Sequence, residues 1–504
     1  MKYSFIALIF VAFLAFTISQ NAVDDKGKKI VCYYANWSPT RAGTAKFTPQ
    51  NIDPFLCTHL IYAFASFAEG KIVAGDPEQD INNNGFVDFN DLKKVNEKLK
   101  TMLSIGGWAE GSAKFSRIAS KADRRDRFAQ SVVELLRQYN FDGINIDWQY
   151  PTFRDGSRPE DRENFVELVK TLRESFDNEA QLTTKPRMLV TMTLPAEKEY
   201  IEQGYDLINL QKYIDFFSIV SYDYHLSVEP SINHHAPLYP LPQEIEADMN
   251  VGLNADATVE YLLSRGIMKE KLNLGIPTYG RTFKLENSEE HQFGAASKGQ
   301  GDTGKTNREV GYIPYYEICK KILDEKWTVV QVNTSALGPY AYKGEDWVAY
   351  DDENIARTKA EYVRKKGLNG IMFWTIDNDD FRGDCGNRSF PVIKAARDGL
   401  RGIPPIRNRV ENRPKIPRVG EDPFIGKTTE PPRRQTERIT ESTNNEPIAN
   451  GINPTVNSVP TIKQFFLTLP TQKPTQIARV KNSDGDSYYQ TISIWIQNNI
   501  INFK

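Results

Sequence analysis

The sequence predicts an α/β fold built on a closed (β/α)8 barrel, in which eight parallel strands alternate with helices. Two observations support this prediction. Residues 28–400 contain eight short apolar runs of strand-like composition, and most of them are followed by apolar residues at helical spacing. Alternating strands and helices favour a parallel sheet, and a count of eight favours a sheet that closes on itself.

Each strand is predicted from a short run of β-branched, aromatic and other apolar residues. Between the third and fourth runs, Phe128, Val132 and Leu136 recur at the spacing of one helix face. The predicted strands are Ile30–Tyr34, His59–Phe64, Thr101–Ile105, Gly143–Asp147, Met188–Leu194, Phe216–Ser221, Leu272–Pro277 and Gly370–Ile376.

Composition divides the chain into further regions. Residues 28–282 and 346–400 are predicted to form the barrel, and the intervening residues 283–345, dense in aromatic residues and glycine, to form a small inserted domain after the seventh strand. Residues 401–504 contain 12 of the 28 prolines and no cysteine. This Pro-, Thr- and Arg-rich region is predicted to be a disordered tail, because it has too few apolar residues to form a core.

Residues 1–19 have the features of a signal peptide. Lys2 supplies a short positive region, and Ser4–Ile18 is almost wholly apolar. The run is too short for a membrane anchor, so we expect a secreted, extracellular protein.

In a secreted protein the four cysteines are expected to form two disulfides, since disulfides persist in oxidising compartments. Four cysteines allow three pairings, and the most local one is adopted provisionally: Cys32 with Cys57, and Cys319 with Cys385. Three Asn-x-Ser/Thr sequons occur, at Asn36, Asn333 and Asn387.

Charge and composition exclude several classes of function. The chain has 63 Lys and Arg against 65 Asp and Glu, so nothing favours nucleic acid or an anionic membrane as partner. Only 5 His and 4 Cys are present, which leaves little room for a metal cluster, and no cofactor is expected. Asp80–Asp91 nearly fits a calcium loop, but its twelfth position is Asp rather than Glu, and an Asn/Gly-rich connector is the favoured interpretation. A monomer is expected.

The fourth predicted strand carries the chemistry. Asp142 opens it, and Asn145, Asp147 and Gln149 follow at spacings of three, two and two. Residues two apart on a strand face the same way, so the last three are predicted to point into the mouth of the barrel. Polar side chains on a buried strand are costly unless they form a hydrogen-bonded core network or serve a site, and a site is favoured.

These residues resemble the motif of glycoside hydrolase family 18, the chitinases and chitinase-like lectins. The family pattern D-G-x-D-x-D-x-E is read here as Asp142-Gly143-Ile144-Asn145-Ile146-Asp147-Trp148-Gln149. Five other stretches resemble the family's strand motifs: Cys32–Trp37, Ser104–Trp108, Ser221–Asp223, Pro277–Arg281 and Phe373–Asp377. The resemblance covers about residues 28–400, implies an α+β insertion after the seventh strand, and agrees with the local disulfide pairing.

The resemblance also implies that hydrolysis is lost. In the family, the final Glu protonates the glycosidic oxygen and the substrate's own N-acetyl oxygen is the nucleophile. Gln149 stands at this position and has no acidic proton, while Asn145 cannot share a proton with Asp147. The catalytic set Asp142, Asn145, Asp147 and Gln149 is therefore degenerate, although Tyr222 is retained, and a chitin-binding protein is expected.

The family's sugar contacts map onto aromatic and polar residues of this chain. The expected contacts with chitin or chito-oligosaccharides are Tyr33, Trp37, Phe64, Trp108, Asp147, Gln149, Tyr222, Asp223, Tyr279, Arg281, Glu317 and Trp374. Asn36 adjoins Trp37 at a strand end, so we expect it to be unmodified and retain Asn333 and Asn387 as glycosylation candidates. Two alternatives stay open: a weakly active chitinase, and a growth-factor-like extracellular protein with a vestigial cleft.

Overall fold

The predicted barrel is present in a computed structural model of the protein. The structure describes residues 27–246, 251–301, 303–306, 309–386 and 388–405, and short strands between 480 and 503. Eight parallel strands of this part pair in a closed ring, in which the first strand contacts both the second and the last. They are β1 Lys29–Ala35, β2 His59–Ala68, β4 Lys100–Gly106, β5 Gly143–Asp147, β6 Leu189–Leu194, β7 Phe216–Ile219, β8 Leu272–Pro277 and β15 Gly370–Trp374.

The ends of the predicted strands differ from the observed ones where the chain leaves the ring. β2 continues past Phe64 and turns back as β3, Lys71–Ala74, which pairs antiparallel with it. β7 stops before Ser221, whose hydroxyl instead donates to the carbonyl of Gly275 in β8, at 2.9 Å. The strands themselves are almost wholly buried, because side chains fill the barrel and helices cover it.

The helices surround the barrel and present one apolar face to it. In the helix between the third and fourth barrel strands, Phe128, Val132 and Leu136 are all buried, as their spacing predicted. The helices are α1 Gly85–Asp91, α2 Ala113–Ala119, α3 Ala122–Gln138, α4 Asp161–Thr183, α5 Lys198–Gly204, α6 Leu207–Leu210, α7 Pro242–Glu246, α8 Ala255–Ser264, α9 Tyr315–Leu323, α10 Glu353–Lys366 and α11 Pro391–Leu400.

The insertion after β8 is built on a second, antiparallel sheet. Its strands are β9 Tyr279–Leu285, β10 Ser297–Gln300, β11 Tyr312–Pro314, β12 Thr328–Val330, β13 Tyr340–Lys343 and β14 Asp346–Tyr350. The predicted limits of the insertion, 283 and 345, are therefore wrong at both ends. β9 begins directly after β8, and β14 pairs with it, so both strands belong to the inserted sheet rather than to the barrel.

Two disulfides fasten the fold, and their pairing is the local one. Cys32 in β1 is bonded to Cys57, just before β2. Cys319 in α9 of the insertion is bonded to Cys385, which follows β15. The second bond therefore links the inserted domain to the barrel.

The predicted terminal regions fall mostly outside the described residues. This holds for the signal peptide, 1–19, and for most of the predicted disordered tail, 401–504. Within the tail, β16 Val480–Lys481 pairs with β17 Ser487–Tyr488, and β18 Ile492–Ile496 pairs with β19 Asn499–Phe503. These strands differ from the prediction of a disordered tail over 401–504. None of the described helices combines the length and the apolar character that a membrane crossing requires.

Candidate functional site

Asn145 lies at the base of the barrel mouth and is held by its neighbours. Its amide nitrogen donates to the hydroxyls of Ser104 and Thr193, at 2.9 and 3.1 Å. Its amide oxygen accepts from Thr191, at 3.0 Å. Both ends of the side chain are thus engaged by neighbouring strands, and the residue is fully buried. An amide at this position acts as a fixed hydrogen-bonding group and takes no part in titration.

Asp147, two residues further along β5, is the one ionisable member of the motif at this end of the strand. It is 3% exposed. Burial raises its pKa from 3.8 to about 6, against the lowering effect of hydrogen bonds from Gln149 and Thr193. The carboxylate is therefore ionised at neutral pH but close to its point of protonation in mild acid.

Gln149 occupies the position of the expected proton donor. Its amide nitrogen donates to Asp147 Oδ1 at 2.9 Å, and its side chain is only partly buried. A carboxamide has two N–H bonds, and the second has no partner among the described residues. Asp142 lies at the opposite end of β5, where its carboxylate pairs with Lys93 and Lys100, at 2.8 and 3.4 Å. It is a structural anchor, far from the mouth.

Four aromatic residues contact one another beside this motif, with Tyr33 buried beneath the others, and we name them the aromatic cluster: Tyr33, Trp37, Phe64 and Trp374. The Trp374 ring centroid lies 5.4 Å from that of Tyr33 and 5.9 Å from that of Phe64. Trp37 stacks on Phe64, with centroids 6.4 Å apart and planes 20° apart, and it is 42% exposed. Contiguous ring faces of this kind suit the apolar faces of sugar rings.

A second cluster of polar residues comes from the loop after β7 and from β9 of the insertion. Asp223 pairs with Arg281 through two bonds, Nε to Oδ1 at 2.8 Å and Nη2 to Oδ2 at 2.6 Å. Tyr279 donates to Asp223 Oδ1 at 2.8 Å, and His235 Nδ1 lies 3.3 Å from the same oxygen. Burial alone would raise the pKa of Asp223, but the guanidinium of Arg281 outweighs it and holds that pKa well below its usual value. Asp223 is thus a fixed negative charge.

Tyr222 and Trp108 complete the predicted set that reaches the mouth. Tyr222 is buried, and its hydroxyl contacts Met372 Sδ at 3.9 Å. Trp108 follows β4 and is 39% exposed. By contrast, Trp148 is buried and stacks on Phe115, at a centroid separation of 5.0 Å, so it packs in the core and does not line the mouth.

Glu317 is hydrogen-bonded to the backbone of a neighbouring loop. It lies in α9 of the insertion and is 7% exposed. Its two carboxylate oxygens accept from the backbone amides of Lys305 and Thr306, at 2.6 and 2.9 Å. The carboxylate therefore holds the loop of residues 304–306 in place, and its role as a sugar contact stays a prediction.

The side chain of Asn36, the first residue of a sequon, is used in hydrogen bonds within the fold. Its amide nitrogen, the atom a glycan would be joined to, donates to Asp80 Oδ1 at 3.1 Å and to the Phe64 carbonyl at 3.4 Å. Asp80 in turn accepts from Tyr62 at 2.7 Å, so the first carboxylate of the calcium-like segment serves the fold. The described residues hold no group of three or more potential metal ligands.

Of the two remaining sequon residues, Asn333 lies within the described part of the chain and Asn387 does not. Asn333 lies in a loop, partly exposed, and accepts from Ser335.

Sequence reasoning missed several residues that shape the site. Thr193 links three predicted positions, since its hydroxyl also lies 3.1 Å from that of Tyr33. His235 supports Asp223, and Arg154 covers Trp108 with its guanidinium carbon 4.0 Å from the ring centroid. Thr193 sits on a predicted strand at alternating spacing with Thr191, which was a usable signal. Arg154 and His235 lie in loops, for which no pattern predicted an orientation.

The arrangement defines a class of protein. Polar groups and exposed aromatic rings lie at the carboxyl ends of the strands of a (β/α)8 barrel, and the amide of Gln149 lies among them. An arrangement of this kind is typical of barrels of the glycoside hydrolase type.

Comparison with known proteins identifies the family. Residues 29–379 match the model of glycosyl hydrolases family 18, and the chain belongs to that family as a chitinase-like member. It is 39% identical over 373 residues to the oviduct-specific glycoprotein of sheep, Ovis aries, a match that covers 73% of this chain and 66% of that protein. It is 36% identical over 373 residues to chitotriosidase-1 of the mouse, Mus musculus, covering 74% of this chain and 78% of the relative.

Solved structures agree with this assignment. The Group IV chitinase of Ostrinia furnacalis in complex with allosamidin superposes with a TM-score of 0.70 at 38% identity, covering 74% of this chain and 98% of that one. Human YKL-39, described as a pseudo-chitinase with retained chitooligosaccharide binding properties, superposes with a TM-score of 0.68 at 36% identity, covering 74% and 99%. Both kinds of relative, a chitinase and a pseudo-chitinase, share this barrel.

Proposed function

We propose that the protein is secreted and holds chitin or N-acetylglucosamine oligosaccharides in the barrel mouth without cleaving them. The observation that carries the proposal is the position of Gln149, whose amide nitrogen donates to Asp147 at 2.9 Å where a catalytic acid is required. General acid catalysis contributes about 10²–10⁴-fold to such a reaction, and an amide has no proton to transfer. The first step is therefore lost while the hydrogen-bonding shape of the residue is kept.

The same contacts support retained binding. One N–H of Gln149 holds the Asp147 carboxylate, and the second can donate to a glycosidic oxygen, as a protonated Glu would. Both N–H bonds of Asn145 donate to Ser104 and Thr193, so Asn145 does not compete with Gln149 as a donor to Asp147. Asp147 is thereby held as an acceptor for an acetamido N–H, beside the aromatic cluster. Such a cleft recognises the ground state of the sugar rather than the transition state.

Two assays test the proposal. Calorimetric titration with the chitin hexamer should give heat of binding, whereas a fluorogenic chitobioside should give no turnover. The double variant Asn145→Asp with Gln149→Glu should recover partial turnover, because it restores the proton donor at position 149 and, at position 145, an acid that can share a proton with Asp147. Trp374→Ala serves as the matched control, because it should weaken binding of the hexamer while leaving the motif on β5 intact. Equal turnover by the wild-type chain and the double variant would refute the argument.

One observation favours a second candidate, a weakly active chitinase. Glu197 precedes α5 and has no side-chain partner in the described part of the chain. Its side chain is exposed, but desolvation by the surrounding protein raises its pKa to about 7, so this carboxyl group can carry a proton at neutral pH. The pKa of Tyr150, the residue next to Gln149, is raised mainly by burial and secondly by the negative charge of Glu197. Turnover by the wild-type chain that disappears in Glu197→Gln would establish this candidate.

The third possibility is an extracellular signalling protein with a vestigial cleft, and calorimetry separates it from the lectin. No heat with the hexamer at millimolar concentration would favour it. Secretion is supported by the apolar run of residues 4–18 and by the two disulfides. Cell culture supernatant should contain the chain without residues 1–19, as a monomer, with glycans at Asn333 and Asn387, which mass spectrometry detects.

A further inference from the structure

Arg154 joins two loops at the mouth of the barrel. It lies in the loop between β5 and α4, and its guanidinium carbon is 4.0 Å from the ring centroid of Trp108, in the loop after β4. Nη1 donates to the carbonyl oxygen of Trp108 at 3.1 Å and reaches that of Gln149 at 3.4 Å. A single side chain therefore fixes both the ring and the backbone of Trp108 relative to the strand that carries Gln149.

The contacts of Arg154 are unusual for a surface arginine. Among the ion pairs of the described residues none includes Arg154, so the ring and two carbonyls hold it in place of a carboxylate. Burial lowers its pKa below the ordinary arginine value, yet the group stays charged. A cation over an indole face is attracted to the ring and restricts its rotation. The arrangement orders Trp108 rather than forming a surface ion pair.

Trp108 lies next to the aromatic cluster without belonging to it. Its neighbour Gly107 has a φ of 82°, and a Cβ there would come within 2.8 Å of the Phe64 ring. Only glycine fits at this turn, so the loop after β4 lies close against Phe64. No ring contact joins Trp108 to the cluster among the described residues. Arg154 covers one face of Trp108, and its 39% exposure leaves the rest of the ring to solvent.

We propose that Arg154 is a positioning residue that holds Trp108 as an outer sugar platform and so gives the cleft its preference for long oligomers. This inference rests on the proposed function. A short oligomer seated on the aromatic cluster does not need Trp108, whereas a longer one reaches the free part of its ring. Because Arg154 contacts the ring and the backbone, its loss releases the platform without removing any group that touches the central sugar.

The test compares ligand lengths in matched variants. Calorimetry with the chitin dimer and hexamer is carried out on the wild-type chain, Arg154→Ala, Arg154→Lys and the control Arg162→Ala. Arg162 is another arginine of the same region, paired with Glu163 at 3.5 Å on the surface of α4. We expect Arg154→Ala to weaken hexamer binding by about five- to tenfold and leave dimer binding unchanged. Arg154→Lys keeps the charge but not the planar fork, so its effect is intermediate, and Arg162→Ala has none.

A measurement without ligand tests the ordering of the ring. With 5-fluorotryptophan in the chain, the fluorine resonance of Trp108, assigned from Trp108→Phe, should shift and broaden in Arg154→Ala, less so in Arg154→Lys, and not in Arg162→Ala. An unchanged resonance, or equal losses for dimer and hexamer, overturns the role of Arg154 while the lectin function stands. A wild-type chain that binds neither oligomer overturns both, so the two failures are distinguishable.

Discussion

Replacing Asp147 by Asn should stabilise the fold and abolish sugar binding. Burial raises the pKa of Asp147 from 3.8 to about 6, so the folded protein binds this proton more tightly than the unfolded chain does. The stability then falls as pH rises from about 4 to about 6, since the carboxylate must ionise inside the fold. A shift of about two units corresponds to about 3 kcal/mol at neutral pH. An uncharged amide avoids this cost and still offers an oxygen to Gln149.

The assay is thermal or denaturant unfolding of the wild-type chain and the variant across pH. For a protein of this size, about 3 kcal/mol corresponds to an increase in Tm of roughly 3–5 °C. The increase should be present at pH 7.5 and should vanish near pH 4, where the wild-type carboxyl group is protonated. Comparison with the wild type at each pH cancels the titration of other groups.

Asp142→Asn is the matched control, because it is the same chemical change at the other end of the same strand. Asp142 is paired with Lys93, and although burial would raise its pKa, the interactions with lysine and the backbone hold it below the usual value. This variant should therefore lose stability at neutral pH. If Asp147→Asn is less stable than the wild type at pH 7.5, or if its Tm difference does not depend on pH, the electrostatic argument is refuted.

Three further predictions concern the cleft. Hexamer affinity should rise with pH through about 6, because ionised Asp147 is the acceptor; titrations between pH 4.5 and 7.5 that give a constant affinity would contradict this. Trp374→Ala should weaken hexamer binding by at least about tenfold, since the stacking of a sugar ring on the indole at the centre of the aromatic cluster is lost. An unaltered calorimetric affinity would exclude this ring as a platform. Asp223→Asn should lower the free energy of unfolding by about 3 kcal/mol, because it leaves Arg281 buried without its bidentate partner, and Arg281→Gln in the same chain should restore part of it.

The barrel could be predicted because its signals are local. Each strand is a short apolar run, and strands covered on both sides by side chains and helices need no polar alternation. The family motifs then indicated which strand ends face the mouth. The inserted domain was located correctly, but its edges were misplaced, since Tyr279–Leu285 continues the apolar character of Leu272–Pro277 and composition alone does not show where one sheet ends and another begins.

The sequence does not show which partners a side chain has at the site. Glu317 has the residue type of a ligand contact, and its two oxygens accept from the backbone amides of Lys305 and Thr306. Asp80 opens the segment for which a connector was favoured over a calcium loop, and its carboxylate accepts from Tyr62 and Asn36. A buried carboxylate must be satisfied by something, and the nearest donors in space decide whether a ligand can compete.

The two amides of the motif act together on the single carboxylate between them. Acidic residues at 145 and 149 would place like charges beside Asp147, and a catalytic centre uses such repulsion to move protons. Here Gln149 donates to Asp147 and Asn145 is tied to Ser104 and Thr193, so the site contains a single negative charge at neutral pH. Under the proposed function, that charge accepts an acetamido N–H of the bound sugar, while Gln149 has no proton to give when a glycosidic bond must break. The proposal thus derives both loss of hydrolysis and retention of binding from the same two amides.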